Sequence, residues 1–242
     1  MGKRIIPRRR GAGTPPYRSP SHRHHGAVKL PDAREPGEAT IRSLLHAPGR
    51  SSPVAEVETP EGRIYRLIAN AGSATGDPIT LGVGPVARGS VLILGDIPDG
   101  TLVSNIEVQP NDGGKLVRSA GASALVVAHR SEEVTLQLPS GHFKSFAPRC
   151  RAQVGPVAGG GRADRPFVKA GKKVWAYRSL AKAPFKVRGV AMNPVNHPFG
   201  GGAHQHVGRP SSVSYGTWPG AKVGRYGKRP KQRRRGSRKR SA

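Results

Sequence analysis

Residues 134–146 read VTLQLPSGHFKSF. Val134, Leu136 and Leu138 alternate with Thr135 and Gln137, the pattern of a strand with one buried face. Pro139-Ser140-Gly141 then reverses the chain: Pro fixes one φ and Gly accepts a positive φ. His142–Phe146 returns as a second strand. This strand–turn–strand unit predicts antiparallel β structure.

The same grammar recurs upstream. The candidate strands are Ile41–Leu45, Val54–Thr59, Arg63–Ile68, Ile79–Val83, Val91–Ile93, Leu102–Val108, Leu116–Ser119 and Ala124–Ala128, followed by Val134–Leu138 and His142–Phe146. Pro60-Glu61-Gly62 joins the second and third as a hairpin, and Pro98-Asp99-Gly100 is a further turn tripeptide. No long helical period interrupts the series. The chain is therefore expected to be all-β, with enough short strands for two small barrels and too few for one large enzyme sheet. The boundary between the barrels is expected near Ala87 to Ser90.

Charge divides the chain differently. Residues 1–30 carry eight Lys and Arg and no acid, while residues 150–242 carry twenty-two, with Asp164 the only acid. The middle, Pro31 to Arg149, has a formal net charge of −2 within a chain of +27. This describes a near-neutral globule with two polycationic arms, whose self-repulsion keeps them extended until a polyanion neutralises them. Nucleic acid fits, because neutralised phosphates release their condensed counterions. A membrane fits poorly. The arms are too rich in Pro and Gly for an amphipathic helix, Ile6 stands where a myristoylation site needs Ser or Thr, and no apolar run is long enough to span. The single cysteine, Cys150, excludes an intramolecular disulfide and points to an intracellular protein.

Residues 188–210, RGVAMNPVNHPFGGGAHQHVGRP, contain little that forms a regular element. Pro194 and Pro198 remove donors, and Gly200, Gly201 and Gly202 permit conformations closed to side chains. The loop is expected to take its shape from its partner. The chain ends in KRPKQRRRGSRKRSA, a polycationic tail.

The segment Gly189–Gly202, GVAMNPVNHPFGGG, resembles the signature of the universal L-two family of large-subunit ribosomal proteins. Further stretches resemble the family in order: PSHR at Pro20 to Arg23, GGKLVRSAGASA from Gly113, LPSGHFKSFAPRCRAQVG from Leu138, and GGGRADRPFVKAG from Gly159. Phe199 and PFVKAG resemble the archaeal branch. Asn196 departs from the family's usual Asp, and Asn70-Ala71 from a common Pro.

The resemblance implies an oligonucleotide-binding (OB) fold barrel at 34–88 and an SH3-like barrel at 89–157. Basic extensions at 1–33 and 158–242 would be embedded in ribosomal RNA. It implies a structural constituent of the large ribosomal subunit, cytoplasmic, acting in assembly, subunit association and support of the peptidyl-transferase region. The implied partners are large-subunit rRNA, neighbouring ribosomal proteins, the small subunit and, indirectly, tRNA. No cofactor, metal or enzymatic activity is implied.

Candidate RNA contacts follow from residue chemistry. Arg66, Lys115, Arg118, Lys144, Arg149 and Arg151 lie on or beside predicted strands, and Arg grips phosphate bidentately or stacks on bases. Arg8, Arg9, Arg10, Arg23, Lys169, Arg188, Arg209, Arg233, Arg234 and Arg235 belong to the arms. Asn193 can read base edges or ribose hydroxyls. His197 is the tempting general base, but a triad needs a nucleophile and an orienting acid. Asn196 is no acid, so His197 is read as RNA packing rather than chemistry; that it supports the peptidyl-transferase region is what the family resemblance implies. The remaining histidines lack the Cys or carboxylates of a tetrahedral metal set. Neither a P-loop nor a strand–G-x-G-x-x-G–helix unit is present, which disfavours a nucleotide-hydrolysing enzyme. A DNA-compacting cationic protein would explain the tails but not the barrels or the 188–210 loop.

Overall fold

A computed structural model describes residues 2–33, 36–218 and 220–225. Its described residues form two compact units, one within residues 19–180 and the other within residues 2–18 and 181–225.

The first unit contains one ten-stranded sheet, as the alternating segments require. The strands are β1 Gly37–Leu45, β2 Val54–Glu58, β3 Ile64–Ile68, β4 Pro78–Gly82, β5 Val91–Ile93, β6 Leu102–Ser104, β7 Ala124–His129, β8 Val134–Gln137, β9 Phe143–Phe146 and β10 Arg151–Val154. Their order is β3-β2-β1-β4-β5-β10-β6-β7-β8-β9. Every pairing is antiparallel except β4 with β5. The β8–β9 hairpin pairs Val134 with Phe146 and Gln137 with Phe143, and Gly141 closes it at φ +81°.

Two main cores sit against this sheet, beside a smaller cluster of Val28, Ala47, Val54, Ile68 and Val157. One gathers Leu30, Ile41, Val57, Leu67, Ile79, Leu81 and Val91. The other gathers Leu92, Leu94, Ile97, Val103, Ile106, Val126, Leu136 and Phe146. The division falls inside β5. Successive strand residues face opposite sides, so Val91 enters the first core and Leu92 the second. Buried amides lace the two together. The Asn70 side chain donates to the carbonyls of Val154 and Gly155, each at 2.9 Å, and Gln153 donates to Ile68 O at 3.0 Å. Asn70, one of the departures from the family pattern, thus supplies donors that a Pro could not.

The structure corrects several expectations. Leu116–Ser119 is not a strand: Leu116 makes only an isolated bridge to Ile106, and Val117 has φ +53°, which no strand accommodates. Leu102–Val108 shortens to β6 because Asn105 turns to φ +48°. Strand β10 was not anticipated, because Arg151 and Gln153 break its apolar pattern, yet all four of its residues are buried. The N-terminal arm also ends earlier than its charge suggests, since Val28 and Leu30 are both buried in cores.

The arms are not helix-free. Helix α1 spans Ile6–Gly11 and helix α2 spans Ala170–Arg178. Pro7 lies in the first turn of α1, where its missing N–H costs nothing. Neither helix buries a residue, so neither leaves an amphipathic stripe in the sequence.

Candidate nucleic-acid interface

Six basic residues expected at the strands meet three different fates. Lys144 and Arg149 are exposed, and the Lys144 ammonium lies 5.1 Å from the Phe146 ring centre. Arg66 and Lys115 are partly occupied. Arg66 Nε donates to Glu56 at 3.1 Å, and this hydrogen bond holds the Glu56 carboxyl below its usual range. Lys115 reaches Asp112 at 3.2 Å and remains exposed. Burial pushes the Asp112 carboxyl up, but the amides of Gln109 and Val108 and the Lys115 ammonium together hold it low.

Arg118 and Arg151 turn inward. Arg118 Nη1 donates to Gly114 O at 2.9 Å and Nη2 to Val28 O at 2.6 Å. Burial, and then the charge of Arg50, lower its pKa. Arg151 is 4% exposed. Its guanidinium donates to both Glu107 oxygens, to Pro31 O and to Asn111 Oδ1. A desolvated carboxylate consumes its charge, so Arg151 leaves the set of RNA contacts and joins the scaffold.

The arm residues are more accessible. Arg8, Arg9 and Arg10 form the last turn of α1, Arg23 ends a short 3-10 turn, and Lys169 precedes α2; all five are exposed. Arg188, Asn193 and Arg209 are exposed as well. Arg233, Arg234 and Arg235 lie outside the described residues. Near α2 the sequence reading passed over an exposed aromatic, Trp175, whose ring carries the Arg178 guanidinium at 5.2 Å.

The 188–210 loop is ordered by its own backbone to a degree that composition concealed. Asn193 O accepts from the amides of Asn196 at 2.9 Å and His197 at 3.2 Å. His197 O accepts from Gly200 at 2.9 Å, and Met192 O from Gly201 at 3.0 Å. A Cβ at Gly200 would collide with the Asn193 and Met192 carbonyls, so this close approach requires glycine. The His197 ring packs over Gly189 and stands edge-on to Phe199, with ring centres 5.3 Å apart.

His197 is electrically quiet. Its Nδ1 accepts the Phe199 amide at 3.0 Å, and burial lowers its pKa from the ordinary 6.5. Both favour the neutral imidazole with its proton on Nε2. A triad would place a carboxylate at Nδ1; here a backbone amide occupies that position. Cys150 is fully buried, and burial raises its thiol pKa. Among the described residues no three His, Cys, Asp or Glu side chains are grouped to hold a metal, and no helix is long and apolar enough to cross a membrane.

The loop also meets the start of the chain. Lys3 N donates to Val195 O at 2.7 Å. A cavity of about 290 Å³ lies there, lined among others by Lys3, Arg4, Arg8, His197 and Trp218. Sequence reasoning had no signal for it, because its walls are nearly 200 residues apart in the chain.

Comparison with known proteins agrees with the resemblance in the motifs. The family model described as Ribosomal Proteins L2, C-terminal domain, matches residues 87–217. The large ribosomal subunit protein uL2 of Thermoplasma acidophilum is 52% identical over 235 residues, covering 97% of this chain and 98% of that protein. The uL2 proteins of Methanococcus vannielii and Archaeoglobus fulgidus are 51% and 50% identical, each over 93% of this chain.

Proposed function

This chain belongs to the uL2 family of large-ribosomal-subunit proteins, and from that premise we propose that it is a primary rRNA-binding constituent of the subunit. It serves subunit assembly, association with the small subunit and support of the peptidyl-transferase region. It is a structural protein of archaeal type, not an enzyme. The OB-fold and SH3-like barrels are assigned to residues 34–88 and 89–157, and the two cores meeting at β5 support that assignment. The extensions 1–33 and 158–242 are assigned to rRNA.

One observation carries the RNA reading. No acidic residue occurs after Asp164, while Lys169, Lys172, Lys182, Lys186, Arg188 and Arg209 are all exposed. Such a surface has no intramolecular anion to satisfy it and attracts a chain of phosphates. The globular units hold position and shape, and the cations supply affinity. The proposed contacts are Arg8, Arg9, Arg10, Arg23, Arg66, Lys115, Lys144, Arg149, Lys169, Arg188, Asn193, His197, Arg209, Arg233, Arg234 and Arg235. Arg118 holds the β scaffold through two carbonyls and, being only partly exposed, is kept as a secondary contact. Neighbouring ribosomal proteins and the small subunit are further partners, and tRNA is reached indirectly.

The test is incorporation. Tagged full-length protein, expressed in an archaeal host, is followed through sedimentation of ribosomal particles. One copy per large subunit, retained after a salt wash, is the expected result. Protein spread over chromosomal DNA, or absent from the large subunit, would overturn the reading.

A further inference from the structure

The cavity between residues 2–8 and the turn at 194–198 has a composition that the general RNA-binding surface does not explain. Lys3, Arg4 and Arg8 supply three cations, while Ile5, Pro194, Pro198 and Trp218 supply apolar and aromatic wall. None of its lining residues is acidic. Its volume of about 290 Å³ is at the low end of small-molecule sites, so it is far too small for a duplex groove.

The arrangement is built rather than accidental. The Lys3–Val195 backbone hydrogen bond ties the first residues to the turn. Gly220, at φ +106°, lets the Arg8 guanidinium and the Trp218 ring approach together: a Cβ there would lie 3.0 Å from Arg8 Nη1 and 3.3 Å from the indole. Trp218 is 65% exposed, an expensive state for a large aromatic, and no ring stacks on it among the described residues.

We propose that this cavity receives a single unstacked nucleotide of the large-subunit RNA, its base on Trp218 and its phosphates among Lys3, Arg4 and Arg8. The proposal rests on the RNA-binding reading above. It deepens that reading by naming one nucleotide-sized site. Proteins that engage unpaired nucleotides pair an aromatic platform with a cationic track in this way. His197 forms part of the wall, and its Nε2–H is the donor its tautomer leaves free for a base or ribose oxygen.

The chain has two tryptophans, so Trp175→Phe leaves Trp218 as the sole indole reporter in the full-length protein. This variant is titrated with large-subunit RNA and, separately, with adenosine monophosphate. On saturation with RNA the Trp218 emission should be roughly halved as a base stacks on it. Adding Gly220→Val should abolish that quench, and Trp218→Leu should weaken RNA binding about tenfold. RNA binding with unchanged Trp218 emission would overturn the nucleotide site and leave the RNA reading standing. Failure to bind RNA at all would overturn both. Quenching by the free mononucleotide at lower concentration than by RNA would instead make this a small-molecule site and overturn the assignment to RNA.

Discussion

Arg151 Nη2 lies 2.7 Å from Glu107 Oε1, with the two side chains 5% and 0% exposed. Glu107 also accepts the backbone amides of Asn111, Gly113 and Arg151. One carboxylate therefore folds the 107–113 turn and locks it to β10. Breaking such a buried pair from one side leaves an uncompensated charge and costs about 3–5 kcal/mol. Arg151→Ala should lower stability by that amount in urea unfolding. The paired replacement Glu107→Leu with Arg151→Met should not recover it, because three amides lose their acceptor. A loss below about 1 kcal/mol for the single variant would mean the pair is not buried in solution.

His129 predicts a pH dependence. Its Nε2 faces Leu94 O at 2.9 Å and its Nδ1 faces Asp99 Oδ1 at 2.7 Å. Only the imidazolium donates to both. The Leu94 carbonyl raises its pKa above 6.5; partial burial opposes this, and Asp99 adds to it. A raised folded pKa gives stability that is complete below the unfolded value and is lost as pH rises through the folded one. The urea midpoint should thus be higher near about pH 5.5 than near about pH 8.5. His129→Gln should flatten that difference. An unchanged difference in the variant would assign it to other groups.

The strand grammar made most of the sheet legible, because β8 buries Val134 and Leu136 in alternation and the Pro-Ser-Gly turn leads into β9, which buries Phe146. It failed where burial is polar. Arg151 and Gln153 occupy interior positions that hydrophobic periodicity cannot recognise, since their partners Glu107 and Asn105 lie 44 and 48 residues away. The same blindness affected the candidate site. Lys144, Arg149 and Arg151 are near neighbours in sequence with equivalent chemistry, and only tertiary pairing distinguishes the scaffold cation from the exposed ones. The 188–210 motif identified the family, but composition gave no sign that Asn193 O and Met192 O organise the turn.

Salt should separate affinity from discrimination. Binding of the full chain to its RNA should fall steeply with ionic strength, at about 0.7–0.9 log units per log unit of salt for each phosphate neutralised. Deleting residues 226–242, whose only charged side chains are Lys and Arg, removes cations, so the slope should flatten while preference for large-subunit RNA persists. A matching deletion of the N-terminal cations, with the same expected effect, must stop before Ser19, whose hydroxyl donates to Ser179 O at 2.9 Å, and well before the buried Val28. Filter binding across a salt series provides the measurement. Lost preference with an unchanged slope would show that the tail reads sequence and the folded units supply charge.

His197 separates scaffold from catalyst. Burial lowers its pKa, its Nδ1 is engaged by the Phe199 amide, and its ring packs on Gly189 and Phe199. Those contacts organise a turn; they do not activate a base. His197→Gln keeps an amide oxygen to accept from Phe199 and an N–H to offer RNA, but it cannot exchange a proton near neutral pH. His197→Ala keeps neither. The glutamine variant should therefore assemble and function substantially, whereas the alanine variant should impair late maturation or subunit joining. The decisive measurement is the chemical step of peptide transfer across pH, made on purified glutamine-variant particles of correct composition. An unchanged pH profile is expected. A loss of about 10² or more in that step, the scale of a removed general base, would show that the imidazole takes part in the chemistry rather than in the packing beside it.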